Sequence, residues 1–409
     1  MHGIGGRADL PLPGEVVLQA GGFVVLVSFL AVGLLWQRSK FGIDGRAGVD
    51  GRAGVDGTAG VDRRAGHGRG PGGMPLPRIV QRLADSAAVR ATLRWAALAL
   101  LVYLVVMAFA GTDQANVNPA PRALYVLAWV GVVPASLLLG PVWRVLNPLR
   151  ALYDALSTVP GVPAGVWRLP DKLGYWPAAG GLAAFVWLEL VPADRADPPV
   201  VGCFLLGYAV LVTAGAIVFG EQWFERADPF EVYSTLIAGL APVGRAADGT
   251  VVLRNPLRGL AAIEPAPGLV AVLALWWGST VFDGVSGTPM WVNWLGTVPT
   301  RNPVATAVLV ALCGLVGASY RLATGAMAGA LVTTLVPIAV GYSIAHYASL
   351  LITEGPRGLG LLVGVTVAPL NPAPLLVAAV QVTAILVGHA AGVLAAHDRV
   401  LALAAAPVT

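Results

Sequence analysis

The stretch WAALALLVYLVVMAFAG, residues 95–111, decides the fold, because it carries no charge and is long enough to cross the core of a bilayer. The composition of the whole chain agrees. Of 409 residues, 56% are hydrophobic and only 12% are charged, whereas a soluble domain carries about 25% charged residues. So little charge excludes a soluble enzyme, a disordered chain and a fibrous protein. The sequence therefore predicts an integral membrane protein.

Apolar stretches of comparable length recur along the chain. We predict an all-α fold, a polytopic transmembrane helix bundle of about nine spans: 16–36, 95–111, 123–140, 175–192, 200–219, 266–283, 303–320, 326–352 and 374–396. Pro337 lies near the middle of the eighth span, where we expect a kink. The uncharged region 358–396 is ambiguous, because residues 359–368 are too few to span alone. They form either a re-entrant segment or part of two short spans.

The basic residues predict the orientation. With the N-terminus outside, 21 of the 26 Lys and Arg residues fall in cytoplasmic segments, as the positive-inside rule requires. We therefore predict an N-out, C-in protein of the bacterial cytoplasmic (inner) membrane. Residues 1–36 would form the outer N-terminus and a first transmembrane anchor, and residues 95–409 the bundle.

The segment between these parts, 37–94, is predicted to be a cytoplasmic Gly/Arg-rich flexible linker. Residues 45–62 read GRAGVD, GRAGVD, GTAGVD, and three such copies are too few to bury a core. Cys203 and Cys313 lie in apolar runs without a CxxC spacing, which indicates packing residues rather than a disulfide or a thiolate metal site.

Two segments share a pattern that follows an apolar span. GPVWRVLNPLRALYDAL (140–156) and GEQWFERADPFEVYSTL (220–236) both place a Gly and a Trp before an Asn-Pro or Asp-Pro step. Because Asn and Asp are good N-caps and Pro suits the first helical turn, each segment predicts a short helix, at 148–157 and 229–237.

We expect these two short helices to be cytoplasmic and interfacial, with Trp143 and Trp223 at headgroup depth. The shared pattern is explained equally well by an internal duplication and by a generic way for a chain to leave the membrane. The same helices offer a docking surface for a cytoplasmic partner protein.

Ionisable groups inside a span are costly, so each is a candidate functional residue. Glu189 lies near the outer end of the fourth span, where its carboxylate also has the simpler option of reaching the headgroups. Asp283 ends the sixth span within STVFDGVSGTPMWVNW (279–294), whose hydroxyls and tryptophans predict a polar outer vestibule.

The last two spans carry further polar groups. Tyr342, His346, Ser349 and Thr353 share one helical face, which we expect to point into the bundle interior. Gln381 and His389 lie on the ninth span. The two histidines are compatible with a site for a divalent metal, with a proton relay, or with hydrogen bonds that hold helices together. Helix rise separates them by about 10 Å along the membrane normal, which a single metal ion does not bridge without a kink.

Several stretches resemble a family of bacterial multi-pass membrane proteins commonly labelled fenitrothion hydrolase. The stretches are HGIGGRADLPLP (2–13), WRVLNPLR (143–150), DPFEVYSTL (228–236), VPIAVGYSIAHYASLL (336–351) and QVTAILVGHAAGVLAAHDRVLAL (381–403). The resemblance implies hydrolysis of an organophosphate triester by an activated water. It transfers no catalytic residue, although His346 and His389 both lie within these stretches.

The sequence therefore leaves three functions open. We predict a permease-like protein that handles a small solute, an ion or a proton along a polar interior path, with Asp283 at the mouth and the two histidines deeper. The alternatives are a membrane-embedded phosphotriester hydrolase and a partner subunit. The chain contains no Walker A motif, so ATP is not predicted to drive it directly.

Overall fold

The computed structural model describes residues 73–162 and 165–405, together with the isolated positions 27, 30, 33, 34 and 36. Helices dominate this part of the chain. They are α1 Arg78–Asp85, α2 Ala87–Ala110, α3 Pro119–Arg122, α4 Val132–Leu139, α5 Val142–Leu146, α6 Pro148–Ser157, α7 Trp176–Leu190, α8 Pro198–Phe219, α9 Gln222–Ala227, α10 Pro229–Ala238, α11 Pro256–Leu260, α12 Leu269–Ser286, α13 Pro289–Gly296, α14 Arg301–Thr324, α15 Ala328–Leu331, α16 Val336–Leu362 and α17 Pro374–Ala405. A π-helix, Ala123–Val130, joins α3 to α4, and short 3₁₀ turns flank α15.

Six segments of the described residues are long and apolar enough to cross a membrane: Ala87–Ala110, Pro119–Leu139, Pro198–Phe219, Leu269–Ser286, Arg301–Leu362 and Pro374–Ala404. This confirms the predicted helical membrane protein. The predicted first span, 16–36, falls almost wholly outside the described residues. The fourth, 175–192, corresponds to α7, which with 15 residues is shorter than the others. The predicted spans at 303–320 and 326–352 both fall within Arg301–Leu362, so the structure leaves the count of nine unconfirmed.

The helix break near Pro337 differs from the prediction. α16 begins at Val336, so Pro337 lies in its first turn, where the missing N–H costs nothing. The irregular geometry precedes the proline, as a 3₁₀ turn over Val332–Leu335. The irregularity that we expected as a tilt or a kink at Pro337 thus lies just before the proline and not at it. Beyond Leu362, residues 363–373 form no helix and α17 is continuous, so the region 358–396 does not hold two short spans.

A small antiparallel sheet was not predicted. Its strands are β1 Met74–Pro75, β2 Val243–Arg245 and β3 Val251–Leu253, in the order β1-β3-β2. Strands of two or three residues leave no readable alternation in the sequence. The sheet shortens the predicted linker, because residues 73–94 form β1, α1 and the start of α2. The repeats at 45–62 lie outside the described residues.

The two predicted short helices exist as α6 and α10, and both predicted N-caps are confirmed. The Asn147 side chain accepts a hydrogen bond from Leu149 N at 3.0 Å, and that of Asp228 accepts one from Phe230 N at 2.9 Å. Their predicted interfacial setting does not hold for α10, because every residue of that helix except Thr235 is buried. It packs against α4, α5, α7, α9 and α16. An interfacial helix would leave one face exposed, so α10 is an internal helix.

Aromatic side chains around α10 form the centre of the core. The Tyr233 ring stacks on Trp129 of the π-helix at 4.3 Å between centroids, and Phe230 meets Phe185 of α7 edge-on at 5.3 Å. Trp276 of α12 closes the other side of Tyr233, at 4.7 Å. These contacts set the depth in the bundle at which the buried polar residues of the neighbouring helices lie.

Candidate functional site

Three helices bring the predicted acidic residues together near the predicted outer face. α7 carries Glu189, α12 carries Asp283, and α16 carries His346 and Tyr347. His346 Nε2 lies 2.6 Å from Asp283 Oδ2, and the Tyr347 hydroxyl donates to Glu189 Oε1 at 3.3 Å. Glu189 and Asp283 are each only 3% exposed. We call Glu189, Asp283, His346 and Tyr347 the carboxylate cluster.

The helix ends make the electrostatic potential at this cluster strongly negative. Glu189 is the next-to-last residue of α7, and Asp283 lies in the last turn of α12. The C-terminal end of a helix carries about half a negative charge, so both carboxylates sit where an anion is disfavoured. His346 contacts the carboxylate of Asp283, and Arg195 is the positive side chain that acts on Glu189. The cluster therefore favours the uptake of a further proton or cation.

The buried face of α16 is offset by one residue from the predicted polar face. Tyr342, His346, Ser349 and Thr353 are half-buried. The polar residues that α16 fully buries are Ser343, Tyr347 and Glu354, at helical spacing. Ser343 accepts a hydrogen bond from Trp276 Nε1 at 2.9 Å. The sequence did not single out these three residues, because a Ser, a Tyr and a Glu near the end of a span are ordinary polar residues there.

The predicted vestibule around Asp283 is not built from hydroxyls. Each hydroxyl of that stretch donates to a backbone carbonyl three or four residues earlier: Ser279 and Thr280 to Trp276, Ser286 to Asp283, and Thr288 to Val285. These groups satisfy themselves locally, so Asp283 alone carries the chemistry of this stretch.

His389 lies deeper than the carboxylate cluster. Its Nδ1 is 2.9 Å from the Ile385 carbonyl oxygen, and its ring centroid is 6.4 Å from that of Tyr342. Tyr342 is one helical turn before His346 on α16, so it lies between the two histidines along that helix. In the part of the chain that the structure describes, no group of three or more His, Cys, Asp or Glu side chains is arranged to hold a metal ion. The metal site at His346 and His389 remains a prediction.

Gln381 is buried on α17, and its Oε1 has no hydrogen-bond partner among the described residues. α16 and α17 cross at glycines: a Cβ on Gly341 would lie 2.5 Å from the Ala384 carbonyl oxygen, and one on Gly388 2.7 Å from that of Pro337. This antiparallel register places Gln381 about level with His346. The amide oxygen without a partner among the described residues is therefore a polar group at the level of the carboxylate cluster.

A second buried polar group joins the duplicated segments. α5 and α6 are consecutive short helices joined at Asn147, and α9 and α10 are joined in the same way at Asp228; we call each such helix–turn–helix unit a hairpin. Asn147 Nδ2 donates to Asp228 Oδ2 at 2.8 Å, and Arg150 donates to both oxygens of Glu231, at 2.9 and 2.6 Å. The Tyr208 hydroxyl also donates to Asp228, at 2.9 Å. We call Asn147, Arg150, Asp228 and Glu231 the hairpin junction.

The contacts across the junction connect equivalent positions of the two hairpins. Asn147 meets Asp228 and Arg150 meets Glu231, each 81 residues apart, and the exposed pair Arg144–Glu225 has the same separation. Segments that contact residue by residue in this way are related by an approximate two-fold axis along their length, as in parallel repeats. This arrangement supports an internal duplication over a generic exit from the membrane.

At the hairpin junction, unlike at the carboxylate cluster, positive groups balance the carboxylates. α6 and α10 start here, and two helix N-termini supply about half a positive charge each. Together with Arg150 they balance the carboxylates of Asp228 and Glu231. Burial raises the pKa of Asp228 to about 6, the Glu231 carboxylate adds to the rise, and hydrogen bonds from Tyr208 and Asn147 oppose it.

The junction also lies deep in the bundle. Tyr208 is in the middle of α8, eleven residues or about 16 Å before its end at Phe219. From Gly220, a positive-φ glycine, the chain turns back along α8 to reach Asp228 at this depth. The chain of α9 and α10 thus turns back into the bundle, which the sequence pattern did not reveal.

Arg122 and Glu354 form a third buried pair, beyond the carboxylate cluster. Arg122 Nε donates to Glu354 Oε2 at 2.8 Å, and Arg357 Nη1 donates to the same carboxylate at 2.9 Å. Arg122 also donates to the Ala115 and Asn116 carbonyl oxygens of the loop after α2. This pair ties α3 to α16 about two turns outward from His346.

Comparison with known proteins yields no match to a family model, a curated protein or a solved structure. The phosphotriester hydrolysis implied by the resemblance to fenitrothion hydrolases, and the docking of a cytoplasmic partner, therefore remain predictions.

Proposed function

We propose that the protein spans the bacterial inner membrane nine times, with its N-terminus outside and its C-terminus inside. Trp36 supports this arrangement. Its Nε1 donates to Asp398 Oδ1 at 3.1 Å, and its carbonyl oxygen lies 2.7 Å from His397 Nε2. The end of the predicted first span thus adjoins the end of α17, on the side assigned to the cytoplasm.

A reporter fused after residue 409 tests this topology. A fluorescent protein should be bright there, and a phosphatase that works only outside should be inactive. An active phosphatase at that position would refute the proposed orientation.

We infer that the protein is a permease-like carrier of protons. The observation that carries this inference is the carboxylate cluster, in which two buried carboxylates lie at helix C-termini, Asp283 against His346 and Glu189 against Tyr347. Such a site holds a proton more readily than a bulky cation, because His346 and Asp283 are already in direct contact. Burying ionisable groups in a membrane protein is costly enough that a functional role is the default expectation.

A route inward follows from the same geometry. From the cluster, the proton would pass along α16 from His346 to Tyr342 and then to His389 on α17. Half-buried side chains along this line leave room for water to bridge the gaps between polar groups. The neutral, fully paired hairpin junction would act as a closed barrier beside this route.

Proton uptake into proteoliposomes tests the proposal. The purified protein should acidify the lumen when an inward proton gradient is imposed, and Asp283→Asn and His389→Phe should each reduce uptake to the level of empty liposomes. Asp248→Asn, in the exposed turn between β2 and β3, is the matched control and should retain full uptake. Uptake that is equal in all four proteins would refute the assigned site.

A further inference from the structure

Helix α1 is held rigidly on the small sheet. Gln81 Nε2 donates to the Val251 carbonyl oxygen at 2.6 Å, and Val251 N donates back to Gln81 Oε1 at 2.8 Å. Arg245 Nη1 donates to Asp85 Oδ1 at 2.7 Å. One side of α1 is therefore fixed against β2 and β3, and the opposite side points away from the sheet.

The side of α1 away from the sheet is apolar, and a basic strip lies between it and the side that contacts the sheet. Ile79 and Leu83, four residues apart, are 61% and 54% exposed. Arg78 and Arg82, also four apart, are exposed on the adjoining strip of the helix. A helix with large exposed apolar side chains next to arginines is typical of one that lies in a membrane surface.

The connection to α2 places α1 at that surface. Between the two helices, Ser86 has an extended backbone, with φ −66° and ψ 114°, and its Oγ caps α2 by accepting from Val89 N. The chain thus changes direction before it enters α2, a candidate membrane span whose Trp95 and Val102 are more than half exposed. The exposed apolar side chains of α1 thus lie directly before a candidate membrane span that itself exposes apolar side chains.

We propose that α1 lies in the plane of the membrane surface and binds anionic phospholipid, with Arg78 and Arg82 at the headgroup phosphates and Ile79 and Leu83 among the acyl chains. Arginine pairs well with phosphate, and basic residues beside a span are attracted to anionic leaflets. The proposal requires only that α2 spans the membrane, and it is independent of proton transport.

Fluorescence quenching in lipid nanodiscs tests this binding on the full chain. A label on Leu83→Cys, in a background with Cys203→Ser and Cys313→Ser, should be quenched by brominated acyl chains. Quenching should be stronger in discs containing phosphatidylglycerol than in discs of phosphatidylcholine alone. A label on Asp248→Cys, on the same sheet, should show little quenching in either disc.

A charge variant separates lipid binding from simple proximity. Arg78→Gln with Arg82→Gln should abolish the difference between anionic and neutral discs, while Arg168→Gln with Arg258→Gln, which removes the same charge elsewhere, should preserve it. An unchanged thermal unfolding midpoint establishes that each variant is folded. The proposal is overturned if position 83 is quenched no more than position 248, if the first variant keeps the difference, or if the label instead responds to protein concentration, as contact with a second copy would require.

Discussion

Arg150 and Glu231 show how much a single pair contributes at the centre of this bundle. Their side chains are 5% and 1% exposed, and two short hydrogen bonds join them. Removing one partner leaves the other charge buried without compensation. Neither residue stands out in the sequence, because each lies one turn inside a short helix whose depth depends on distant contacts.

We predict that Glu231→Gln lowers the free energy of unfolding by about 3–5 kcal/mol. The double variant Arg150→Met with Glu231→Leu should recover much of this loss, because it removes both charges together. The exposed pair Arg226–Glu264 provides the control, and Arg226→Gln should cost less than about 1 kcal/mol. Chemical unfolding in detergent micelles measures all three. Equal losses of unfolding free energy in Glu231→Gln and Arg226→Gln would show that the buried pair stabilises the protein no more than the exposed pair.

Among the described elements, α16 and α17 share the most extensive helix contact, and glycines permit it. Gly341 has backbone of α17 within 2.5 Å of where its Cβ would be, whereas Gly314 of α14 has nothing within 4 Å. Small residues at such crossings let helices approach in a membrane, where lipid supplies no hydrophobic drive for helices to associate. Glycine is so common in this sequence that spacing alone could not identify the crossing.

Gly341→Ala should therefore destabilise the protein, by about 1–3 kcal/mol. Gly314→Ala should instead stabilise it by up to about 1 kcal/mol, because alanine is the better helix former and has space there. Unfolding of the two variants side by side measures the contrast. A neutral Gly341→Ala would mean that the two helices are less closely packed than the structure shows.

The elements also show where sequence reasoning ends. Apolar runs located the long helices, and Asn-Pro and Asp-Pro steps located the starts of α6 and α10. The same local signals could not distinguish an interfacial helix from an internal one, because the difference lies in contacts of Asp228 with Tyr208 and Asn147, far away in the chain. On α16, the sequence identified His346 but not the adjacent Tyr347, although both reach carboxylates.

Over the described part of the molecule, helix ends organise two of the groups of buried charges. The hairpin junction gathers two helix N-termini and an arginine around its carboxylates and is balanced. The carboxylate cluster sets Glu189 and Asp283 at helix C-termini and is not. The sequence predicted Glu189, Asp283 and His346 as candidates, but it could not show that three separate helices bring them into contact. This contrast is the reason for assigning the proton to the cluster.

The most direct test of that assignment is the reversal potential of the current carried by the purified protein in a planar bilayer under opposed proton and sodium gradients. A proton carrier with its binding site at the carboxylate cluster should reverse at the proton equilibrium potential, and Asp283→Asn should abolish the current. A reversal potential that follows the sodium gradient, or a current that survives Asp283→Asn unchanged, would contradict the account.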